Sequence, residues 1–439
     1  MPGIRDSLAK ALFQAGVGSE MHAFASTIYP ICRSITGNGV RETLGHVKRL
    51  IDLTVHEVPS GTPAFDWTIP REWNIRDAWI KDPSGQKIVD FKVHNLHVLN
   101  YSSPIHAKLP LAELKKKIFT MPDQPDLIPY RTSYYNDNWG FCMPHNQFTE
   151  LADGTYEVFI DSDHNDQGSL TYGEYFIQGE TNDEILFSSH CCHPSLANDN
   201  CSGISLNAHL ARALTGAKTR YSYRFIFAPG TIGSITWLSR NQDTYHKVKH
   251  GLILSCVGDP GGPTYKRSQR GNALVDVAVE HVLREHEANP NILDFWPYGY
   301  DERQYCSPAF NLAVGLLSRS KFGAFPEYHT SADNLSFIDG ASMERSYRHV
   351  LEIIDILEND YKPVNLVPQC EPNLGKRGLY GAIGGDKSAY DANLPVFWVL
   401  NQTDGTRTLL DIATRAKMPF ERIHRAAKML SDNNMLRAE

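Results

Sequence analysis

A segment rich in metal-type ligands, HCCHPSLANDNCSG, occupies residues 190–203 of this 439-residue chain. It follows a short apolar run, EILFSS at residues 184–189, whose length and composition predict a β-strand. His190 and His193 therefore stand where a strand ends, and Asp199 follows shortly afterwards. Two imidazoles and a carboxylate suit zinc, and a mononuclear catalytic site needs only three protein ligands and an open position. The segment predicts a metal site.

The same residues also fit a purely structural role. Loop histidines often form hydrogen bonds, and the Asn-Asp-Asn triplet at residues 198–200 is ordinary capping chemistry ahead of the apolar pattern SGISLNAHLARAL. A distant histidine favours the metal site. His329 lies in the polar, turn-rich segment EYHTSADNL, residues 327–335, which precedes a one-sided helical pattern. His329 is therefore a further candidate metal ligand.

These segments resemble motifs of the zinc aminopeptidase clan that also contains the glutaminyl cyclases. In that clan a histidine ends a strand, an aspartate in a PGANDNASG-like segment bridges the metals, and a YHT segment supplies the last histidine. His190, Asp199 and His329 match these positions. The closer resemblance is to a bacterial family of aminopeptidase-like proteins. Its matching segments are DWTIPREWNI, IPYRTSYYNDNWGFC, HCCHPSLANDN, GYDERQYCSP, PEYHTSADN and EPNLGKRGLYGAIGG.

This resemblance implies an α/β fold: a zinc-exopeptidase-like three-layer α/β/α domain, an inserted mainly-β domain and a C-terminal winged helix. We expect the catalytic domain at residues 1–62 and 162–363, the insertion at 63–161 and the winged helix at 364–439. The pattern of apolar and polar residues along the sequence agrees with this domain order. Short alternating runs such as KIVDFKVHNLHVLNY indicate β structure in the insertion, whereas EILFSS, YRFIFAP and GLILSC alternate with helical segments.

The sequence departs from the clan where the general base is expected. After the strand YSYRFIFAP the clan carries two glutamates, a general base and a metal ligand, and this chain has Gly230 and Thr231. A third expected carboxylate falls near Ser255 and Cys256. Glycine has no side chain to move a proton, and the missing carboxylates favour one zinc ion per chain over two.

The first group of candidate substrate-binding residues is Arg131, Tyr134 and Tyr135, in the segment IPYRTSYYNDNWGFC. Tyrosines stack on ligands, and arginine pairs with a carboxylate, which suits a small polar substrate. In the alternative interpretation these aromatic side chains bury the insertion against the catalytic domain.

The second group lies in GYDERQYCSP, where the clan has a polar substrate loop. Asp301 and Arg303 are candidate substrate-binding residues, and Glu302 is the candidate for the catalytic base that position 230 lacks. An ion-paired surface is the alternative interpretation of the three charges. Glu327, which begins EYHTSADNL, completes the candidate substrate site.

Composition and charge narrow the class of partner. The 43 basic and 50 acidic residues give a net charge of −7, which argues against a polyanionic partner. No stretch approaches the roughly 20 apolar residues of a membrane span, and the N-terminus lacks a signal-like apolar region, so we predict a cytoplasmic protein without a membrane partner. The eight cysteines are expected as free thiols.

The C-terminal section ends in two helical patterns, TLLDIATRA and FERIHRAAKMLSDNN, in the order of a winged helix. Residues 388–439 contain seven basic and six acidic side chains, which is little positive charge for nucleic-acid binding. We therefore expect this module to act as a lid or in protein–protein contact. The sequence is also compatible with a homo-oligomer.

Together these features predict a metal-dependent hydrolase of an amide or related acyl bond in a small peptide-like or modified amino-acid metabolite. Two alternatives stay open: an acyl-transfer or cyclisation enzyme on the same metal platform, and a non-catalytic binding protein. Metal content separates the binding protein from the two enzymes. Product analysis with a competing amine separates hydrolysis from acyl transfer.

Overall fold

The computed structural model describes residues 3–379 and 387–438. Residues 380–385, the end of the EPNLGKRGLYGAIGG segment, lie outside the described residues. Within the described ranges, no helix is both long enough and apolar enough to cross a membrane.

Two compact units make up the chain. The larger comprises Met1–Asp276 and Asn291–Arg348, and the smaller comprises Val277–Pro290 and His349–Glu439. The finer domain boundaries expected after residues 62, 161 and 363 stay predictions.

Helices and strands alternate through the middle of the chain, as the sequence indicates. The α-helices of the described residues are, in chain order, α1 (Ile4–Leu12), α2 (Val17–Ile28), α3 (Asn38–Lys48), α4 (Leu111–Lys115), α5 (His145–Thr149), α6 (Gly203–Leu214), α7 (Ile232–Arg240), α8 (Leu274–His286), α9 (Glu302–Tyr305), α10 (Gly340–Asn359), α11 (Lys387–Gln402), α12 (Leu409–Ala416) and α13 (Phe420–Asp432). The strands are β1 (Thr54–Pro59), β2 (Pro63–Ala64), β3 (Trp67–Thr68), β4 (Glu72–Lys81), β5 (Lys87–Asp90), β6 (Ile105–Pro110), β7 (Ile118–Phe119), β8 (Phe141–Cys142), β9 (Thr155–Asn165), β10 (Ser169–Ile177), β11 (Glu184–His190), β12 (Ser222–Ala228), β13 (Val248–Leu254), β14 (Thr264–Lys266), β15 (Asn291–Leu293), β16 (Val314–Ser318), β17 (Pro363–Asn365) and β18 (Leu436–Ala438).

An eight-stranded sheet in the order β1-β10-β12-β11-β13-β16-β14-β15 forms the centre of the larger unit. The predicted strands EILFSS, YRFIFAP and GLILSC are its neighbouring parallel strands β11, β12 and β13. Every residue of β11 is buried, so both faces of the sheet are covered, as in a three-layer α/β/α fold. His190 at the end of β11 pairs with Ala228 at the end of β12. The loops after these two strands therefore meet at one edge of the sheet, where open α/β sheets bind ligands.

The predicted β insertion contains a second sheet, antiparallel, in the order β5-β4-β9-β6. Its apolar face encloses a separate core, which includes Ile80, Val158 and Phe141. This core accounts for the alternating apolar pattern of the insertion, because only one face of the sheet needs apolar residues.

In the smaller unit, α11 and α12 pack against α13, and β17 pairs with β18. The predicted helical segments TLLDIATRA and FERIHRAAKMLSDNN correspond to α12 and α13. A capping box starts α12, because the Thr408 hydroxyl accepts the Asp411 amide and the Asp411 carboxylate accepts the Thr408 amide. The helical order is that of a winged helix.

Candidate metal centre

Three predicted ligands converge where β11 ends. The Nε2 atom of His190 lies 2.9 Å from Nδ1 of His193 and 2.8 Å from Oδ1 of Asp199. Asp199 belongs to an irregular helical turn, Ala197–Ser202, in which its own backbone angles are not helical. The turn leads directly into α6. The strand end and the helix start thus bring the three side chains together.

His329 reaches the same carboxylate from a distant loop. Its Nε2 atom lies 3.0 Å from Oδ2 of Asp199, the oxygen that does not face His190. The φ angle of His329 is 56°, a left-handed conformation that few non-glycine residues adopt. Such backbone strain is concentrated at functional sites, where the surrounding structure enforces it.

The donor set fits a zinc-type ion. The ligand atoms of His190, His193 and Asp199 all lie within 4.8 Å of one another. His190 Nε2 faces both a ring nitrogen and a carboxylate oxygen, and one N–H group cannot donate well to both. Such convergent lone pairs are what a bound cation satisfies. Asp199 would be the anionic ligand of such an ion. His329, predicted as a further ligand, does not belong to this group of three, and its ring nitrogen contacts the second oxygen of Asp199.

Protonation also favours metal binding. Burial lowers the pKa of His193 well below its usual value, although the charge of Asp199 opposes this effect. For Asp199, burial alone would raise the pKa, but the neighbouring His193 and His190 hold it well below the usual range. Neutral imidazole and ionised carboxylate are the forms that coordinate metals.

Two buried polar side chains, Asp333 and Arg33, form hydrogen bonds to the backbone of the ligand loop. The Asp333 carboxylate accepts the backbone amides of Asn198 and Asp199, at 2.6 and 3.0 Å. Burial raises the pKa of Asp333 to about 8, and the charge of Asp199 adds to this shift. On the other side, Nε of buried Arg33 donates to the backbone carbonyl of His193 at 2.9 Å. Both contacts restrict the loop to one conformation.

The residues of the centre differ in their exposure to solvent. Side-chain exposure rises from 0% at Asp199 and 2% at His190 to 13% at His193 and 31% at His329. His329 is therefore the most accessible of the four.

Aromatic rings line the centre, and sequence reasoning missed their contribution. Tyr300 stacks on His190 with ring centroids 4.7 Å apart, and Tyr328 stacks on His329 at 3.9 Å. Tyr130 packs edge-on against both His193 and His329, at 5.1 and 5.0 Å. Position in the sequence could have indicated two of these rings, because Tyr300 and Tyr328 immediately precede the candidate site residues Asp301 and His329.

Main-chain hydrogen bonds hold the insertion segment that carries Tyr130 next to the His329 turn, so the tyrosines of this segment form a wall beside the centre. The amide of Tyr130 donates to the carbonyl of His329 at 2.8 Å, and the amide of Ser331 donates to the carbonyl of Ile128 at 2.9 Å. A short antiparallel bridge thus joins the loop of the insertion to the turn that carries His329.

The structure brings some of the predicted substrate residues to this wall. The Tyr134 hydroxyl lies 2.6 Å from the hydroxyl of Tyr130, the residue whose ring packs against His193 and His329. Tyr135 is half exposed and packs on Trp67 at 5.4 Å. Arg131 is exposed and donates to the carbonyl of Tyr130 at 3.0 Å. Of the three, Tyr134 is the one in contact with a ring that packs against the histidines.

The remaining candidate residues have different surroundings. Glu302 forms a fully buried ion pair with Lys266 at 2.7 Å. The Arg303 guanidinium lies over the ring of Tyr298, at 5.5 Å. Glu327 is partly exposed, and its backbone carbonyl accepts the Thr330 amide.

Asp301 lies next to Gly230 and is almost completely buried, and its Oδ1 atom accepts the Ser234 hydroxyl at 3.1 Å. The two adjacent acidic residues thus differ in their partners, because Glu302 is paired with the Lys266 ammonium whereas Asp301 accepts a neutral hydroxyl.

Small, uncharged residues occupy the positions at which the clan carries carboxylates. Thr231 is the N-cap residue just before α7, and buried Cys256 places its thiol 3.3 Å from the Tyr300 hydroxyl. Burial raises the pKa of Cys256 well above its usual value, so the thiol is a poor substitute for a carboxylate ligand. All eight cysteines are free thiols, as the sequence predicts.

Comparison with known families settles the relationship of the chain. The model of the domain of unknown function DUF4910 matches residues 22–360. The chain belongs to the DUF4910 family. A winged helix-turn-helix model matches residues 361–438, which confirms the predicted C-terminal module.

Individual relatives agree with this family. A Clostridium acetobutylicum protein, named as a candidate polysaccharide biosynthesis protein with an aminopeptidase-like domain, is 51% identical over 413 residues, or 94% of this chain and 95% of that protein. The crystal structure of a candidate peptidase from Clostridium acetobutylicum is 48% identical, covers 99% of both chains and has a TM-score of 0.93.

More distant structures show the fold alone. A zinc aminopeptidase from Bacillus subtilis is 12% identical, with a TM-score of 0.57 over 77% of this chain and 93% of that one. A peptidase M28 precursor from Shewanella amazonensis is also 12% identical, with a TM-score of 0.58 over 81% and 96%. The resemblance to the aminopeptidase clan and its fold class is confirmed.

Proposed function

We propose that this protein is a zinc-dependent hydrolase of an amide or closely related acyl bond in a small peptide-like or modified amino-acid compound. The convergence of His190, His193 and Asp199 at the carboxyl end of β11 carries the proposal. The aminopeptidase-like domain in the name of the Clostridium relative supports the same class of reaction. That name also links the relative to polysaccharide biosynthesis.

His190, His193 and Asp199 would hold one ion, with His329 on the second carboxylate oxygen of Asp199. When bound, such an ion polarises a carbonyl group and acidifies water. The protein's own residues orient the ligands. Asp333 and Arg33 hold the ligand loop, and the Tyr300 ring prevents His190 from rotating.

The substrate would lie on the exposed side of the centre, between His329 and the tyrosine wall. Tyr134 and Tyr135 offer hydroxyl groups and ring faces there, and the guanidinium of Arg131 is available for an anionic group farther out. Arg303 and Glu327 stay candidate contacts at the edge of the same loops. The winged helix is proposed to serve in protein–protein contact and not in nucleic-acid binding.

Metal analysis and product analysis test this function. Protein purified in zinc-replete medium should retain about one ion per chain and should release carboxylate and amine from aminoacyl amides, N-acyl amino acids or N-acyl amino sugars. An Asp199→Ala variant should lose both properties. If the purified protein contains no bound transition metal, the proposed hydrolase function is wrong and the non-catalytic binding protein is the better interpretation.

Reactions with added hydroxylamine separate the two enzyme classes. A hydrolase releases mainly free acid, because water is the acyl acceptor at the centre. If hydroxamate is the main product in the presence of hydroxylamine, the protein is an acyl-transfer enzyme and not a hydrolase.

A further inference from the structure

Asp301 is a buried carboxylate with an unused oxygen atom. It is 1% exposed and precedes the short helix α9. Its Oδ1 atom accepts the hydroxyl of Ser234 from α7, whereas Oδ2 has no hydrogen-bond partner among the described residues. An unpartnered buried carboxylate oxygen is costly, so its retention points to an interaction that forms only when a ligand is bound.

The position of Asp301 coincides with the space beside Gly230. A Cβ atom built on Gly230 would lie 3.1 Å from Cβ of His190 and 3.6 Å from Oδ1 of Asp301. A side chain at position 230 would therefore enter the region that already contains the Asp301 carboxylate. The glycine leaves room for the Asp301 carboxylate, which the residue just before α9 supplies.

The loop that presents Asp301 is held firmly. The Lys266 ammonium donates to the carbonyl of Tyr298 and to Glu302, both at 2.7 Å. These contacts fix the chain on each side of Tyr300 and Asp301. The Tyr300 ring in turn stacks on His190. Asp301 is thus located relative to the metal ligands by backbone, ion-pair and ring contacts.

We propose that Asp301 is the catalytic carboxylate of this centre and performs the proton transfers for which position 230 has no side chain. Its carboxylate accepts a proton from the attacking water as the new C–O bond forms at the amide carbon. It then returns this proton to the leaving nitrogen as the C–N bond breaks, and the carboxylate is regenerated. This assignment rests on the proposed hydrolase function.

The surroundings of Asp301 suit a proton carrier. Burial raises the pKa of Asp301 to about 6, while His190 and the Ser234 hydroxyl oppose that rise. The other charged groups that act on it are Glu302, which raises the pKa, and Arg303, which lowers it. A base with a pKa close to the working pH is effective, because it both accepts and releases the proton readily.

A second role for the same carboxylate would be to bind the α-ammonium group of an aminoacyl substrate. The two roles differ in kinetics. For a base, Asp301→Asn lowers kcat about 10²- to 10⁴-fold on leucine p-nitroanilide and on its N-acetyl derivative, with KM little changed. For an ammonium anchor, the substitution raises KM for the free amine only. Asp294→Asn, on the same segment but with its carboxylate exposed, is the matched control.

Binding of leucine hydroxamate provides a readout without turnover. Calorimetry in two buffers of different ionisation enthalpy measures the protons released when zinc-loaded protein binds the hydroxamate. We expect Asp301→Asn to release about one proton more per site than the wild type, because the Asp301 carboxylate keeps the proton that the hydroxamic acid loses. Equal proton release by the two proteins, with both zinc-loaded and folded, overturns the assignment of Asp301. Failure of the zinc-loaded wild type to bind the hydroxamate overturns the hydrolase function itself.

Discussion

The Nε2 atom of His329 lies 3.0 Å from Oδ2 of Asp199, although 130 residues of chain separate the two side chains. The other oxygen of this carboxylate faces His190 at 2.8 Å and His193 at 3.7 Å. Asp199 therefore meets imidazole groups on both of its sides. The integrity of the whole centre depends on this single buried carboxylate.

Removal of the carboxylate should empty the centre. Asp199→Ala is expected to reduce bound zinc from about one ion per chain to almost none, because only neutral ligands remain. His329→Ala should weaken zinc binding roughly 10- to 100-fold, as expected for a residue that orients a ligand. Elemental analysis and chelator competition measure both effects. Asp163→Ala, on the inserted sheet, is the control, and full zinc content in Asp199→Ala would contradict the assignment.

Arg33 is expected to support zinc binding through its hydrogen bond to the backbone of the ligand loop. Arg33→Met removes the donor to the His193 carbonyl, and a buried carbonyl without a donor costs about 1 to 3 kcal/mol. We expect lower stability toward urea and about tenfold weaker zinc binding. The exposed Arg49→Met provides the control. Unchanged zinc affinity in a destabilised Arg33→Met protein would show that Arg33 serves the fold alone.

A carboxylate at position 230 should compensate for the loss of Asp301. The φ angle of Gly230 lies outside the left-handed range, so a side chain there is limited by the 3.1 Å approach to His190 and not by the backbone. In Gly230→Glu alone, two carboxylates compete for one region and repel each other. The Gly230→Glu/Asp301→Asn double variant should recover at least about tenfold of the turnover that Asp301→Asn loses. A folded, zinc-loaded double variant without this recovery would contradict the shared position of the two groups.

Histidines that are held neutral by partial or complete burial should make the larger unit sensitive to acid. Burial lowers the pKa values of His94, His209 and His250 to about 4, from 6.5. Between pH 6.5 and 4 the unfolded chain binds more protons than the folded chain, so stability is fully present above pH 6.5 and falls as the pH decreases.

Replacement of one of these histidines tests this effect. His250→Phe should weaken the dependence on pH by up to about 1.4 kcal/mol per pH unit within this window, because phenylalanine does not titrate. Urea unfolding at pH 7.5 and pH 5 measures the change, with the exposed His246→Phe as control. An equal loss of stability in wild type and His250→Phe would contradict the expectation.

The winged helix should bind nucleic acid poorly. Arg422, Arg425 and Lys428 lie on α13, but Glu421 and Asp432 lie on the same helix, and Lys428 pairs with Asp432 at 3.0 Å. Few phosphate contacts mean weak, salt-sensitive binding. Fluorescence anisotropy with duplex DNA at physiological salt should detect no stable complex. A sequence-specific complex under these conditions would instead give the module a regulatory role.

The clustering of His190, His193 and Asp199 could be predicted because its signals are local. The three residues lie within one short segment after an apolar strand, so spacing and residue type indicated that their side chains would converge. Their role as metal ligands stays a prediction. The parallel strands β11, β12 and β13 were predicted for the same reason. The pairing of β14 with β16 involves distant segments and leaves no comparable signal in either strand.

The choice between Asp301 and Glu302 could not be made from the sequence. Both are acidic, they are adjacent, and each has the chemistry of a base. The deciding partner of Glu302 is Lys266, which lies 36 residues earlier and is brought close only by the fold. The stacking of Tyr300 on His190 is likewise a tertiary contact without a characteristic spacing.

The backbone pairing of Tyr130 with His329 ties the position of one candidate site residue to the path of the insertion. Because these hydrogen bonds join main-chain atoms, a change in the length of the residue 128–131 segment would displace His329, whereas a side-chain replacement there would leave the pairing intact. An engineered exchange of the insertion would therefore have to preserve the backbone of this segment next to the His329 turn.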